Sequence, residues 1–338
     1  MFKNVYKHDA WKRGEHMAVR TTAGWYLYTH ELLEVKGADA AAFLDHMLPN
    51  NIANLADTRA RYTTMLNENG QIIDDIVVFR MAEDVFWVST LYVKRMIPWF
   101  TQHKGSYQVE FANITPKWDM YAVQGPKSRD ILNELLETPV DNQKFFQILD
   151  NRMGDIPVKI NRGGFTGEKL GYEIYVAPEY TRQVVEKLRE IAPKYDAKQV
   201  TDIQVMVWTL PTEKGYYLMC DIHWANPLEV GLDRNINWEK DFIGKEALLK
   251  AKAAGAKRTL LGFTVDDEDI FIPGKHLGGA GCPVMLDGEE IGRVTKVTYS
   301  YVLDKNIGYA LVDSPKVKPG DRVLLNKHEA VLCDKVFF

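Results

Sequence analysis

The segment 207–248 combines a carboxylate, aromatic rings and small residues in a run too irregular for one helix or strand. Glu213 ends an apolar segment, and Tyr216 and Tyr217 follow shortly after it. Aromatic faces stack on a flat ring, and a carboxylate accepts hydrogen bonds from ring N–H groups. This composition suits a flat heteroaromatic ligand with amino and amide edges. It equally suits a helix, a turn and a hairpin of an ordinary core.

Two adjacent carboxylates, Asp74 and Asp75, stand between apolar pairs in a predicted hairpin over residues 61–80, with its turn at 67–70. Paired carboxylates are typical of acid–base or metal chemistry. Successive strand side chains point to opposite faces, so these two are predicted not to share a proton. The eight histidines are scattered without ligand spacing, and no metal site is predicted.

Chain length, net charge, apolar runs and cysteine count exclude several classes of protein. A chain of 338 residues is expected to form two or three domains. A net charge of −4 argues against nucleic acid as the main partner. No apolar run of about 18 residues predicts a membrane span, and the N-terminus does not resemble a signal peptide. The three cysteines are far apart and odd in number, which predicts a cytoplasmic protein without a disulfide framework.

Two patterns locate further elements. Alternation over residues 24–37 predicts one strand, which would place Tyr26, Tyr28 and His30 on the same face. Residues 258–338 consist of strands punctuated by glycine and proline, with turn signals at the spacing of about 8–12 residues typical of a small β-barrel or sandwich. The glycine-rich run 163–171 lacks the Lys-Ser/Thr of a phosphate loop, so it gives only weak support for a nucleotide site.

Five separated runs resemble, in order, the motifs of the glycine-cleavage T-protein superfamily. They are the E-H-x-x-V-R opening with G-x-D-A-x-x-F-L (15–44), the D-D hairpin (70–75), Q-G-P (124–126), T-G-E…Y-E-I (166–174), and Glu213 with F-x-G-K-x-x-L (242–248). The likeness extends from about residue 15 to about residue 315. It implies an α+β fold of three domains around a central hole that binds tetrahydrofolate.

The resemblance also implies domain limits and cofactor contacts. A discontinuous folate-binding α/β domain takes residues 1–50, about 115–145 and 200–250; a ferredoxin-like domain takes about 51–114 and 146–199; a β-barrel takes 256–338. Glu213 and Glu173 would hold the pterin or neighbouring edges of tetrahydrofolate, and Gln124 would hydrogen-bond it. Tyr172 and Tyr216 would stack on it or contact its edge, although without the resemblance both tyrosines are equally expected to be core residues.

One motif departs from the family. T-proteins of glycine cleavage carry V-N-x-x-N-x-x-x-D-x-x-W, in which the Asp handles a proton during aminomethyl transfer. Aligned on Trp99, that Asp is Met96 here, and the two Asn positions are Ser89 and Tyr92. Methionine neither donates nor accepts a proton. The departure argues against glycine cleavage and favours methyl transfer from a small methyl donor to N5 of tetrahydrofolate.

The resemblance extends to the superfamily's tetrahydrofolate-dependent demethylases, and a methoxylated aromatic substrate is the main prediction. Its phenolate leaving group needs a proton or a strong hydrogen-bond donor. The predicted catalytic residues are His30, Tyr28, Tyr92 and His223. Tyr26 is predicted to line the substrate site, and Arg95 to pair with a substrate carboxylate.

Other functions remain open at this point. The donor would alternatively be a sulfonium, an N-methyl compound or the aminomethyl group of glycine cleavage. A non-enzymatic relative that assists iron–sulfur assembly carries K-G-C-Y-T-G-Q-E where this chain has residues 240–246, without a cysteine. The folate half of a flavin-linked amine oxidase would need a partner for the flavin, since no dinucleotide fingerprint is present.

Overall fold

The computed structural model describes residues 6–28 and 30–338, without the side chain of His276. Within these ranges the strands are β1 Gly24–Leu27, β2 Glu31–Lys36, β3 Ala60–Leu66, β4 Ile72–Ala82, β5 Val85–Thr90, β6 Glu110–Asn113, β7 Asp119–Gln124, β8 Ile148–Met153, β9 Ile156–Arg162, β10 Gly171–Val176, β11 Lys198–Gln199, β12 Arg258–Val265, β13 Pro283–Leu286, β14 Glu289–Ser300, β15 Lys305–Asp313, β16 Arg322–Leu325 and β17 His328–Cys333.

The α-helices of the same part of the chain are α1 Ala10–Thr21, α2 Ala40–Met47, α3 Val93–Gln102, α4 Ser128–Leu135, α5 Thr181–Ile191, α6 Leu210–Glu213, α7 Met219–Ile222, α8 Pro227–Val230 and α9 Lys245–Ala254. A π-helix, Gln204–Thr209, runs directly into α6. Asp9 begins α1 by accepting a hydrogen bond from the backbone N–H of Lys12, as an N-cap side chain does.

Three sheets carry the fold. A six-stranded sheet has the order β11-β1-β7-β10-β9-β8, and a five-stranded sheet has the order β3-β4-β5-β2-β6. Strands β12-β15-β14-β13-β16-β17 form a closed barrel. The α+β fold with a C-terminal β-barrel expected from the sequence is therefore confirmed.

Strand alternation gives each of the two open sheets two apolar faces. Helices α4 and α5 cover the outer face of the six-stranded sheet through Ile131, Leu132, Val184 and Leu188. Helices α2 and α3 cover the outer face of the five-stranded sheet. The inner faces pack on each other through residues such as Tyr26, Phe79, Trp87 and Tyr175. Two sheets packed face to face between helices thus form the body in which the site lies.

The strands are not grouped as the proposed domain limits would group them. β3 to β5 and β8 to β10 were placed together in the ferredoxin-like segment, but they belong to different sheets. The domain limits themselves remain a prediction.

The single strand predicted over residues 24–37 is wrong. β1 pairs with β7 and β11, whereas β2 pairs with β5 and β6 in the other sheet. The chain must leave one sheet after Leu27 to join the next. Thr29 lies outside the described residues.

Strand β14 of the barrel inserts polar groups into the rest of the molecule. The Lys296 Nζ atom lies 2.8 Å from Asp221 Oδ2, and both side chains are fully buried. Lys296 also donates to the carbonyl of Tyr216, and Thr295 donates to Asp221. Ser300 at the end of β14 donates to Glu213. The barrel is therefore bonded to segment 213–221 by buried polar contacts.

Candidate functional site

A cavity of about 490 Å³ lies between the two open sheets, and segment 207–219 closes one side of it. This volume is in the usual range of small-molecule sites, about 300–1,000 Å³. Much of the wall is aromatic: Tyr28, Tyr62, Phe79, Tyr92, Phe145, Phe146, Phe165, Tyr175, Tyr216 and Tyr217. Its polar groups come mainly from strand ends: Asp74, Asp75, Ser89, Thr90, Asn161 and Glu173.

Asp74 and Asp75 on β4 both line this cavity. Asp74 Oδ2 accepts a hydrogen bond from Thr90 Oγ1 at 2.5 Å, and its Oδ1 accepts one from the backbone N–H of Asp75 at 2.9 Å. Asp75 Oδ2 accepts one from the Tyr62 hydroxyl at 3.1 Å. In the strand register Asp74 lies with Met65 on the face covered by α2 and α3, whereas Asp75 lies with Tyr62 on the opposite face. The alternation predicted from the sequence is therefore confirmed, although both residues line the cavity.

A β-bulge lies just before the pair. Met65 pairs with Asp74, but the next residue, Leu66, pairs with Ile72, so Ile73 is an extra residue in β4. The register from Asp74 onward is regular, so the bulge does not turn the two carboxylates to one face. The Asp74 carboxylate lies along the strand, because it accepts from the following N–H.

The pKa values of the ionisable groups in the cavity differ from their ordinary values. Burial, together with the Asp75 charge, raises the pKa of Asp74 to about 7. Burial raises the pKa of Asp75 to about 6, against the opposing hydrogen bond from Tyr62. Burial lowers the pKa of His30 to about 4. Near neutral pH the aspartates are thus the titrating groups, and His30 is a neutral imidazole.

Tyr26, Tyr28 and His30 meet around Phe165. Their ring centroids lie 6.1, 4.7 and 5.8 Å from the Phe165 centroid, respectively. Tyr28 and His30 line the cavity, whereas Tyr26 is fully buried in the core between the sheets. His30 Nδ1 is 2.8 Å from Ser89 Oγ, and its buried Nε2 has no protein partner. The three rings share one region, and a neutral His30 retains the hydrogen-bonding part of its predicted role but not that of a charged proton donor.

Alternation on β10 separates two of the predicted residues, Glu173 and Tyr172. Glu173 and Tyr175 line the cavity, while Tyr172 packs in the core on the other face of the sheet. Glu173 Oε2 accepts hydrogen bonds from Asn161 Nδ2 at 2.9 Å and from the Tyr175 hydroxyl at 3.1 Å. Asn161 is 1% exposed, and its Oδ1 has no protein partner. The structure thus places Glu173 at the cavity and Tyr172 in the core.

Gln124 is a structural residue of the glycine-rich run. Its Nε2 donates to the carbonyls of Gly163 and Tyr172, and its Oε1 accepts from Thr166. A Cβ on Gly171 would lie 2.2 Å from Gln124 Oε1, which explains a glycine there. The predicted hydrogen bond from Gln124 to the cofactor has no support here, because the buried amide serves the loop.

We expect Gln124→Leu to lower the free energy of unfolding by about 2–4 kcal/mol, because it leaves buried polar groups of the loop unsatisfied. Urea unfolding followed by circular dichroism measures the change. The exposed Gln108→Leu is the control and should be nearly neutral. Equal stability of both variants would contradict the structural role.

Glu213 does not line the cavity, although its neighbours Pro211 and Lys214 do. Its carboxylate is fully buried and accepts from Arg20 Nε at 3.1 Å, from Arg20 Nη2 at 2.8 Å and from Ser300. His16 Nε2 lies 3.2 Å from Glu213 Oε2. Both carboxylate oxygens are thus engaged by protein groups, which leaves the predicted pterin contact without support.

The remaining predicted residues lie at or outside the cavity rim. Tyr92 and Tyr216 line the cavity and are partly exposed. Arg95 is exposed, with its guanidinium 5.2 Å from the centroid of the Tyr92 ring. His223 is exposed and packs on Trp224. Neither Arg95 nor His223 belongs to the lining, so the structure does not bring them to a substrate in the cavity.

Met96 is fully buried and packs in the apolar core between α3 and the five-stranded sheet. The position therefore contributes no group to the cavity. Asp74 supplies a titrating carboxyl within it instead. The lost motif residue consequently does not deprive the cavity of an acid–base group, which removes the physical basis of the argument against aminomethyl transfer.

The sequence offered one signal for the residues that were missed. Asp74 and Asp75 interrupt an otherwise apolar strand, and carboxylates are rarely buried without a purpose. No comparable signal marked Tyr62, Thr90, Asn161 or Phe165, because distant parts of the chain bring them together.

Among the described residues, no group of three or more His, Cys, Asp or Glu side chains is placed to hold a metal ion. No described helix has the length and apolar character required to cross a membrane.

Comparisons with known proteins agree with this architecture. The sequence model of the GCVT N-terminal domain matches residues 2–240, and that of the glycine cleavage T-protein C-terminal barrel domain matches residues 258–338. An aminomethyltransferase of Thermoanaerobacter pseudethanolicus is 35% identical, over 96% of this chain and 88% of that protein. An aminomethyltransferase of Thermotoga maritima is 33% identical, over 91% of this chain and 83% of that protein.

A solved structure has the same fold. The crystal structure of glycine cleavage system aminomethyltransferase T from Bartonella henselae superposes with a TM-score of 0.85, covering 97% of this chain and 89% of that one, at 23% identity. Both domain models, the relatives and the fold agree over nearly the whole chain. The chain belongs to the glycine cleavage T-protein family of aminomethyltransferases, a family that uses tetrahydrofolate.

Proposed function

We propose that this protein transfers a one-carbon unit to tetrahydrofolate from a donor that carries a protonated amine, as an aminomethyl group does. The observation that carries the proposal is the position of Asp74 and Asp75 in an aromatic cavity. The names of the relatives, which are aminomethyltransferases, support the same donor. Glycine-cleavage-type transfer is therefore preferred to the demethylation predicted from the sequence.

Tetrahydrofolate suits the residues present. Its flat pteridine ring has N–H groups at its edge, and the cavity offers aromatic faces together with acceptors. Asn161 Oδ1 is buried without a protein partner, and the adjacent Glu173 carboxylate also faces the cavity. These two residues would hold the N–H edge, with Tyr28 and Phe165 as neighbouring ring faces. When bound, tetrahydrofolate supplies the amine nucleophile that receives the one-carbon unit.

The charges of the lining favour a cationic donor. The carboxylates of the cavity lining are Asp74, Asp75 and Glu173, and Lys214 is the cation among the described lining residues. Lys214 Nζ donates to the carbonyl of Phe338 and lies 3.9 Å from the centroid of that ring. In a cavity of reduced dielectric, a carboxylate compensates an ammonium far better than it would in water. The neutral His30 does not oppose such a cation.

The side chains have separable tasks in this proposal. Asp74 and Asp75 bind the ammonium group and exchange a proton with the reacting nitrogen, because their pKa values lie near neutral. The aromatic wall excludes water and restricts the orientation of the two reactants. Tyr92 and Tyr216 contribute ring surface at the rim.

A donor panel tests the proposal. We expect an aminomethyl thioether to give methylenetetrahydrofolate, ammonia and the free thiol, as measured by mass spectrometry and an ammonia assay. Methoxyarenes, a sulfonium, betaines and sarcosine serve as competing donors, and reactions without tetrahydrofolate are the control. 5-Methyltetrahydrofolate formed only from a methyl donor would overturn the aminomethyl assignment. Bound folate without any product would favour a binding or assembly role.

O-demethylation of a methoxylated aromatic is the second candidate. The aromatic wall favours it, together with the buried Nε2 atom of His30, which has no protein partner and would contact a substrate oxygen. The carboxylate-rich lining disfavours an anionic methoxybenzoate, and the exposed Arg95 does not compensate within the cavity. A neutral methoxyarene therefore belongs in the panel beside vanillate and syringate.

A further inference from the structure

His30 lies where the chain crosses between the two open sheets, after β1 and directly before β2. Its ring packs against Tyr28, with centroids 4.6 Å apart, and against Phe165, at 5.8 Å. The imidazole lines the cavity, and its Nε2 atom is buried without a partner among the described residues. Buried polar atoms are rarely left unpaired unless another group satisfies them. This atom therefore marks a point in the cavity wall where a bound molecule completes a hydrogen bond.

Ser89 on β5 indicates which ring nitrogen carries the proton. Its hydroxyl oxygen lies 2.8 Å from His30 Nδ1, and the residue is only 4% exposed. A serine hydroxyl has one O–H to donate, and within the described part of the chain it is bonded to His30 alone. A proton on Nδ1 would leave that O–H without an acceptor. The Ser89 hydroxyl therefore donates to Nδ1, and the proton of the neutral ring resides on Nε2.

The ring offers the cavity a hydrogen-bond donor without a charge. Burial lowers the pKa of His30 to about 4, so the imidazole is neutral at physiological pH. A neutral imidazole donates through one nitrogen and accepts through the other. Because Ser89 occupies the accepting nitrogen, an ammonium finds no acceptor here. The complementary group is an uncharged hydrogen-bond acceptor.

Strand register places this donor beside a carboxylate of the same wall. Ser89 pairs with Val77, and Asp75 lies two residues before Val77 on the same face of β4. Diagonal neighbours of this kind are about 7–8 Å apart. Asn161 and Glu173 belong to the other open sheet, across the cavity. A molecule whose ammonium group lies at Asp75 would thus carry a nearby uncharged atom toward His30.

We propose that His30 and Ser89 form a subsite for an uncharged hydrogen-bond acceptor, in which His30 Nε2–H donates to the ligand and Ser89 is the positioning residue that fixes the tautomer. The proposal deepens the proposed function and rests on it for the identity of the reactants. Two groups of those reactants have the required chemistry. They are a carbonyl oxygen of tetrahydrofolate and the sulfur of an aminomethyl thioether, which is the weaker acceptor.

The direct test is ¹⁵N NMR of the full chain labelled at its histidine ring nitrogens, without ligand. His30→Phe identifies the His30 signals among those of the eight histidines. We expect the Nε2–H tautomer for His30, and a shift toward Nδ1–H in Ser89→Ala. His103 is the internal reference, because its Nδ1 lies 3.0 Å from the Trp99 carbonyl and must carry a proton. A wild-type His30 protonated on Nδ1, or a tautomer that Ser89→Ala leaves unchanged, would overturn the proposal.

Binding measurements distinguish the two sources of the acceptor. The Kd values of tetrahydrofolate and of an aminomethyl thioether are measured separately for wild type, His30→Phe and His30→Gln. Loss of one hydrogen bond between neutral groups weakens binding about threefold to tenfold. We expect His30→Phe to weaken one reactant by this factor and His30→Gln, whose amide restores an N–H donor, to recover part of it. A loss confined to tetrahydrofolate identifies its carbonyl, and a loss confined to the thioether identifies the sulfur.

His46→Phe is the matched control, since His46 lies in α2, packs on Tyr107 and is not part of the cavity lining. It should change neither Kd. Unchanged affinity for both reactants in His30→Phe, or binding by His30→Gln no better than by His30→Phe, would overturn the subsite. None of these measurements needs turnover. A fixed tautomer and weakened tetrahydrofolate binding in a protein inactive with amines would therefore refute the proposed function and leave the subsite standing.

Discussion

Asp74→Asn is expected to lower kcat/KM for the amine donor by about 10²- to 10⁴-fold, the usual contribution of a positioned acid–base group. The amide keeps the shape of the side chain but carries no negative charge and does not exchange a proton at neutral pH. Because Asn161 and Glu173 would hold the cofactor edge, the Kd of tetrahydrofolate should change little. Steady-state kinetics and quenching of protein fluorescence measure the two quantities.

The control is Asp84→Asn, the same chemical change at an exposed position between β4 and β5. It should retain full activity and the same affinity for tetrahydrofolate. If Asp74→Asn and Asp75→Asn both turned over at the wild-type rate, the carboxylate pair would have no role in the chemistry. A selective loss of tetrahydrofolate binding in Asp74→Asn would instead place the cofactor at the aspartates.

Glu213→Ala is expected to lower the free energy of unfolding by about 3–5 kcal/mol, the usual result of removing one partner from a buried ion pair. The substitution leaves Arg20, which is nearly buried, without its contact to Glu213. It also removes the acceptor of Ser300, and with it a bond between α6 and the barrel. Denaturant unfolding measures the change, with the exposed Glu246→Ala in α9 as the control.

The loss of stability caused by Glu213→Ala should become smaller as the pH falls. Burial opposes the charge of Glu213, but His16, Arg20 and Ser300 together hold its pKa below the ordinary value. The stabilisation is therefore present above the ordinary glutamate pKa and disappears as the pH falls through the lowered native pKa. The difference between wild type and Glu213→Ala should narrow on acidification. Unchanged stability with weakened tetrahydrofolate binding would instead support the contact predicted from the sequence.

Motif order and composition were sufficient to predict the family, the α+β fold and the terminal barrel. These features depend on many short patterns that are local in the chain. The placement of individual side chains was harder to predict. Glu213 matches the family motif, yet Arg20 and Ser300 engage its carboxylate, and both come from distant segments.

The aspartate pair shows what a local rule predicts and what it does not. Alternation correctly predicts opposite faces of β4 for Asp74 and Asp75, but it does not show that both line one cavity. That depends on β5 and on segment 207–219, which are distant in the chain. His30 was predicted to supply a proton or a strong hydrogen bond, and burial among Tyr28 and Phe165 disfavours the imidazolium, which leaves the neutral ring as a hydrogen-bond donor. Burial of this kind is a property of the assembled fold.

The polar contacts of β14 have a consequence for how the molecule loses its structure. The two domains recognised by sequence end at residue 240 and begin at residue 258, which suggests two modules. Detaching the barrel would nevertheless break the buried ion pair of Asp221 with Lys296 and the buried hydrogen bond of Glu213 with Ser300. We expect this cost to couple the melting of the barrel to that of the segment that borders the cavity. The boundary between the two domains recognised by sequence is therefore not expected to separate two units that unfold independently.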